Sequence, residues 1–155
     1  MSSNVSLSQQ AIGHFDIRSY AAREFWRAYR KGWWSKIVSR LNGRNNELNS
    51  LSQANQDAIS KSGSYAGIQT VAIGLIRGSE GRNEDFDIDF HPLKKHNRSR
   101  WIGILIARLQ GVPLPPVELI QIGQEYFVRD GHHRISVASS LGQAQIDAHI
   151  TVFAA

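Results

Sequence analysis

The chain of 155 residues contains no cysteine. That absence excludes disulfides, thiol redox chemistry and cysteine-bound zinc. No apolar run approaches the roughly 18 residues of a membrane-spanning helix, so a membrane span is not expected. The opening MSSNVSLSQQ lacks the basic start and apolar centre of a secretory signal, and it reads as a polar, mobile lead-in over residues 1–13. Together these absences suit a cytoplasmic location. Proline is scarce, and three of the four prolines fall at Pro113, Pro115 and Pro116, where they forbid helix and lead into an extended segment. There is no internal repeat and no low-complexity tract. The length suits one compact domain with a moderate core and a helical extension.

Acidic residues are rare in one place. Between His14 and Arg44 only Asp16 and Glu24 oppose Arg18, Arg23, Arg27, Arg30, Lys31, Lys36, Arg40 and Arg44. The remainder of the chain holds ten basic against eleven acidic residues, so the net charge of +5 belongs to this one element. Such a concentration suits a polyanion: nucleic acid, acidic lipid or an acidic partner. A solvated helix face is the simpler reading of the same pattern.

The same stretch predicts a long helix over residues 16–42. Ala22, Phe25, Trp26, Tyr29, Trp33, Ile37 and Leu41 recur at steps of three and four. Gly32 would allow a close contact or a bend, and Gly43 a C-terminal stop. The aromatics, with Trp34, suit docking onto the rest of the fold or onto a second copy of the chain. A helix lying in a membrane interface is the sharper alternative. Ser50 to Gln53 reads as a capping box that opens a helix over 51–60.

Beyond Ser62-Gly63-Ser64 the pattern changes. Ile68, Thr70, Val71 and Ile73 predict a strand at 67–73. Residues 74–92 read as a long functional loop. A helix is expected from Asn97 to Gln110, closed by Gly111. Two alternating segments around Gly123-Gln124 predict a hairpin over 117–128. A helix over 132–141 and a strand from Ile146 to Phe153 complete the order. The expected fold class is α+β: a small mixed-sheet domain at 65–155, preceded by a basic aromatic helical extension at 1–64.

The chemistry concentrates at Asp130-Gly131-His132-His133-Arg134, between a strand and a helix. The first amides of a helix lack intrahelical partners, and the macrodipole adds positive potential there. Gly131 lets backbone approach an anion, and Arg134 offers a fork of donors for phosphate oxygens. His132 and His133 add donors or a general acid/base. Asp130 could cap the helix, hold Mg²⁺ against a phosphate, or orient a nucleophile.

A second group, Arg77-Gly78-Ser79-Glu80-Gly81-Arg82, also follows a strand, and Arg82 can reach an anion. Together the two groups would form a two-sided phosphate cradle. Asp85, Asp87 and Asp89 alternate nearby and could bind a divalent ion, although their spacing matches no EF-hand loop. His91, Lys94, Lys95 and His96 could line the same cleft. His14 and His149 have no companions.

On these residues the stretch from Ile68 to Phe153 resembles the ParB/sulfiredoxin-like superfamily, and within it the ParB-like nucleases. The resemblance rests on the strand-GSEGR loop, the helix ending at Gly111, the hairpin and FVRDGHHRISVASSLG. It implies a nucleotide or phosphate site at the helix start. The matching turn of ParB proteins reads Gly-Glu-Arg-Arg and binds the triphosphate of CTP; Gly131 and Arg134 keep that pattern. In sulfiredoxins the turn carries a catalytic cysteine, and His132 stands in its place, which excludes that chemistry. Free-serine kinases of the same fold carry a similar turn. The helix-turn-helix and dimerisation regions of partitioning ParB proteins are not seen in this sequence.

Three readings follow. In the first, Gly131, His132, His133 and Arg134, with Gly78, Ser79 and Arg82, bind a nucleotide or phosphodiester. Asp130, His132 and His133 would serve a hydrolysis of NTPase or nuclease type, with Mg²⁺ as the candidate ion. The basic helix residues Arg23, Arg27, Arg30, Lys31 and Arg40 would hold nucleic acid. In the second, Glu80 is the catalytic carboxylate of a small-molecule kinase using ATP or ADP. In the third, nucleotide binding switches self-association, with a homodimer formed through the aromatic helix.

Overall fold

The computed structural model describes residues 16–51 and 53–154. The three-and-four periodicity of the N-terminal segment gives helix α1, Ile17–Leu41, whose Asp16 cap accepts a hydrogen bond from the Arg18 amide at 3.0 Å. The buried face is narrower than the apolar residues suggest. It consists of Ala21, Phe25, Ala28 and Gly32. Its two alanines and its glycine let α1 lie close to its neighbours: a Cβ on Gly32 would stand 2.9 Å from the Cβ of His91. Trp33 and Trp34 are half exposed or more, and Leu41 is 82% exposed. The expected docking therefore holds for the first half of the aromatic face, where Phe25 is buried and Trp26 and Tyr29 pack against its cluster, and is corrected for the second half, where Trp33, Trp34 and Leu41 face solvent.

A six-stranded mixed sheet forms the body, from β1 (Asn49–Ser50), β2 (Ser64–Ala72), β3 (Ile76–Ser79), β4 (Val117–Ile122), β5 (Glu125–Asp130) and β6 (Gln145–Phe153). Its order is β1-β3-β5-β4-β6-β2. The β4–β5 hairpin and the β2–β6 pair are antiparallel, whereas β1–β3, β3–β5 and β4–β6 are parallel. The mixed α+β class is as expected.

Helices α3 (Arg98–Leu109) and α4 (His132–Ser140) stack on one face of the sheet. Ile135 and Ala138 of α4 pack with Leu119, Val128 and Ile150 of the sheet. Val137 of α4 packs with Trp101 and Leu105 of α3 and with Phe25 of α1. The Phe25 and Trp101 rings meet edge to face at 5.7 Å, and the Trp101 indole donates to Ser136 Oγ at 2.9 Å. Fully burying such a ring contributes about 2–3 kcal/mol. Alternation in β4 sends Ile120 and Ile122 to the opposite face, where they join Leu51, Phe127 and Phe153, with Ile59 of α2 (Gln53–Ser60) against them.

Several boundaries differ from the sequence reading. Ser50 pairs with Ser79 in the sheet instead of capping a helix, and α2 begins at Gln53. The strand expected at 67–73 begins at Ser64 and ends at Ala72. The division at residue 64 falls on the first residue of β2, and β1 lies upstream of it in the same sheet. Most consequentially, the loop expected over 74–92 contains β3, inserted between β1 and β5. Its four residues carry no alternation, and Gly78 is there for packing. A Cβ at that position would stand 2.6 Å from the Asn49 carbonyl oxygen and would strike the Phe127 ring. The lead-in at 1–13 and His14 lie outside the described residues.

Candidate functional site: a donor-lined cleft at the start of α4

Strand β5 ends at Asp130, and α4 begins at His132 with Gly131 as its cap. Gly131 adopts φ +104°, in the region that favours glycine. A Cβ there would also meet Val117 Cγ1 at 2.5 Å. The turn is thus fixed by both conformation and space, and it aims the first amides of α4 outward. Asp130 makes no capping bond, contrary to one of its expected roles; its carboxylate accepts from Arg134 Nη2 at 2.6 Å.

Both histidines are buried, with only 5% of His132 and 6% of His133 exposed. His132 Nε2 lies 2.7 Å from Ser79 Oγ, an oxygen that accepts from the amides of Gly81 (3.2 Å) and Arg82 (2.9 Å). His133 Nε2 lies 3.1 Å from Asn97 Oδ1. Phe86 stacks on His132 at 6.0 Å and meets His133 edge-on at 5.3 Å. Burial lowers the His132 pKa to about 4, and the Arg82 guanidinium adds to the effect. Burial likewise lowers His133 to about 4, with Arg100 and then Arg82 contributing. Both rings are neutral near pH 7.

The cleft over this turn, about 40 Å³, is lined by Arg82, Arg100, Ile104 and residues Asp130 to Arg134. Donors dominate it: helix amides and the guanidiniums of Arg82 and Arg100 from separate elements, with both imidazoles beside them. Arg82 makes a long ion pair with Asp85 at 3.8 Å, and Arg100 makes none among the described residues. Larger cavities lack the histidines. One of about 330 Å³ is bordered by Arg108, Pro115 and Arg134, and one of about 240 Å³ lies along α1 at Tyr29, Trp33 and Leu93. A third, of about 420 Å³, lies beside β1 at Glu47, Asn49 and Phe127. Volume alone would have chosen that one, but the convergent polar groups are at the small cleft.

The structure brings together only part of the predicted set. Ser79, Arg82, Gly131, His132 and His133 meet. Gly78 is buried in β3. Glu80 pairs with Arg129 at 3.1 Å and does not line the cleft. Arg134 lines the cleft, yet its Nη1 donates to the carbonyls of Pro115 (2.6 Å) and Pro116 (2.8 Å). It therefore ties the start of β4 to the turn, and much of its donor capacity is already used. His91 is held by the buried Asp87 at 2.9 Å, and His96 lies 3.4 Å from Asp85; neither lines the cleft, nor do Lys94 and Lys95. His149 has a companion after all, the Tyr65 hydroxyl at 2.7 Å. Phe86, Asn97 and Arg100 were missed. Asn97 and Arg100 carried a signal only as the polar start of a predicted helix.

Among the described residues no group of three or more His, Asp or Glu is placed to hold a metal ion. Asp87 is spent on its own turn, accepting from the amides of Asp89 and His91. Mg²⁺ usually takes one or two carboxylates with phosphate oxygens. The cleft offers one carboxylate, Asp130, and that is committed to Arg134, so the donor set does not fit the ion. No helix among the described residues is long and apolar enough to cross a membrane.

Arg23, Arg27, Arg30, Lys31 and Arg40 are exposed on α1. Arg23, Arg27 and Arg30 share the outer face with Trp34, at spacings of four, three and four, while Arg40 borders the groove beside Trp33.

No family model and no curated protein matches this chain. Among solved structures it is similar to sulfiredoxin from Arabidopsis thaliana, with 18% sequence identity and a TM-score of 0.43, over 56% of this chain and 86% of that one.

Proposed function

We propose that this protein binds a phosphate group of a small molecule or nucleotide in the cleft at the start of α4. The observation that carries the reading is the meeting of Arg82 and Arg100 over the outward amides of His132 and His133. Unpaired helix amides and guanidiniums favour an anion for the same electrostatic reason. Binding is favoured over hydrolysis. An imidazole whose pKa lies near 4 takes up protons poorly at neutral pH, and a general base works best with a pKa near the working pH. Glu80, the carboxylate of the kinase reading, is occupied by Arg129. The test is a thermal-shift panel of inorganic phosphate, CTP, ATP and ADP on the parent chain and on Arg82→Ala and Arg100→Ala. These two arginines are better probes than Arg134, which holds β4. A stabilising shift lost in both variants is expected. No shift with any of the four compounds would refute the reading.

A second site on the same chain is favoured by the outer face of α1. Three arginines and Trp34 there offer charge to a phosphate backbone and a ring to stack on a base. We infer that this face binds single-stranded nucleic acid. Binding of a labelled oligonucleotide should weaken steeply between 50 and 200 mM salt, and Arg23→Ala/Arg27→Ala/Arg30→Ala should flatten that slope by about three contacts. Binding insensitive to salt would exclude it.

A further inference from the structure

We propose that the ligand of the α4 cleft is a phosphate ester with a hydroxyl beside the phosphate, His132 donating to the phosphate and His133 accepting from the hydroxyl. This rests on the reading that the cleft takes phosphate, and it follows from which nitrogen of each ring carries the proton.

The hydrogen-bond inventory fixes both tautomers. Ser79 Oγ receives the amides of Gly81 and Arg82, which can only donate. Two lone pairs are then filled, and the hydroxyl proton goes to His132 Nε2. That nitrogen is bare, so in the neutral ring the proton is on Nδ1. For His133 the reasoning runs the opposite way. Asn97 Nδ2 donates to the Asp85 carbonyl at 3.4 Å, an oxygen that can only accept. The Asn97 amide is thereby oriented with Oδ1 toward His133, and Nε2 must carry the proton. His133 Nδ1 is left with a lone pair.

Two adjacent residues of one helix turn thus present opposite groups, a donor from His132 and an acceptor from His133. Neither Nδ1 has a protein partner among the described residues, and neither is a buried polar atom left unsatisfied. Each therefore reaches the surface, where both residues line the cleft. Everything else that converges there, apart from Asp130, donates. A fully ionised phosphate would satisfy the donors and meet repulsion at the His133 lone pair. A hydroxyl next to the phosphate supplies the missing donor.

The full chain is tested in two ways. Long-range ¹H–¹⁵N spectra of the histidine side chains at pH 7.5 should show Nδ1–H for His132 and Nε2–H for His133. Titration with 2-hydroxypropyl phosphate and with n-propyl phosphate, which lacks only that hydroxyl, should then show about tenfold tighter binding of the first, the worth of one well-placed hydrogen bond. His133→Leu should bring the two affinities together. Equal affinity in the parent chain would overturn the proposal while leaving phosphate binding intact. Binding of neither ester, nor of inorganic phosphate, would overturn both. Matching tautomers in the two rings would overturn the proposal whether or not the His133→Leu chain folds.

Discussion

Acidification should unfold this protein through His132 and His133, and the size of the effect can be worked out. Both imidazoles have a pKa of about 4 in the folded chain, against about 6.5 when unfolded. Between those values the unfolded chain binds protons that the folded chain rejects. Stability is therefore complete above about pH 6.5 and is lost as the pH falls toward 4. Each pKa unit corresponds to about 1.4 kcal/mol, so each histidine can withdraw about 3 kcal/mol over the whole window. From pH 7 to pH 5 the loss is about 2 kcal/mol per histidine. At this chain length that corresponds to a fall in Tm of about 4–8 °C for each. Urea denaturation at pH 7, 6 and 5 measures it, on the parent chain and on His132→Gln and His133→Gln. The variants will differ in absolute stability, but the informative quantity is the slope with pH. Each single variant should lose about 2 kcal/mol less than the parent between pH 7 and pH 5. Parallel slopes in all three proteins would refute the burial of neutral imidazoles at this turn.

Other perturbations test the surrounding framework. Gly131→Ala should cost about 2–4 kcal/mol, from backbone strain together with the clash on Val117. In a Val117→Ala background the cost of that change should shrink toward the strain alone, about 1–2 kcal/mol. Arg134→Ala should lower the unfolding midpoint without any ligand present, by about 2–4 kcal/mol, since it removes bonds to Pro115, Pro116 and Asp130 together. Unchanged stability would return Arg134 to a purely ligand-binding role. Trp34→Ala and Leu41→Ala should each change stability by no more than about 0.5 kcal/mol. A loss above about 2 kcal/mol that grows with protein concentration would place this face in a self-association contact.

The long, periodic elements were legible from sequence. Helices α1, α3 and α4 matched within a residue or two at each end, because a repeat of three and four can be counted without knowing the partner. The β4–β5 hairpin was legible for the same local reason, with Gly123 at the turn in φ +61°. The exposed half of α1 was misjudged because period alone does not say which of two apolar stripes is covered. Ala21, Ala28 and Gly32 share the buried face with Phe25 by allowing close approach, whereas Trp33, Trp34 and Leu41 stay exposed. The short strands were not legible. Asn49–Ser50 and Ile76–Ser79 are too brief for a period, and they are strands only because β5 offers an edge to β3 and β3 in turn offers one to β1.

By itself the sequence determined that Asp130 to Arg134 is a strand-to-helix turn rich in donors, since glycine, two histidines and an arginine at that junction need no distant information to interpret. Only the tertiary structure decided what each member does there. Ser79 lies 53 residues before His132, and Asn97 lies 36 before His133; these partners set which nitrogen bears the proton. The carbonyls of Pro115 and Pro116 turn Arg134 inward, and Arg82 and Arg100 arrive from other elements to supply positive charge to the cleft. Hydrogen-bond partners and burial are properties of what folds against a residue, and along the chain those neighbours are far away.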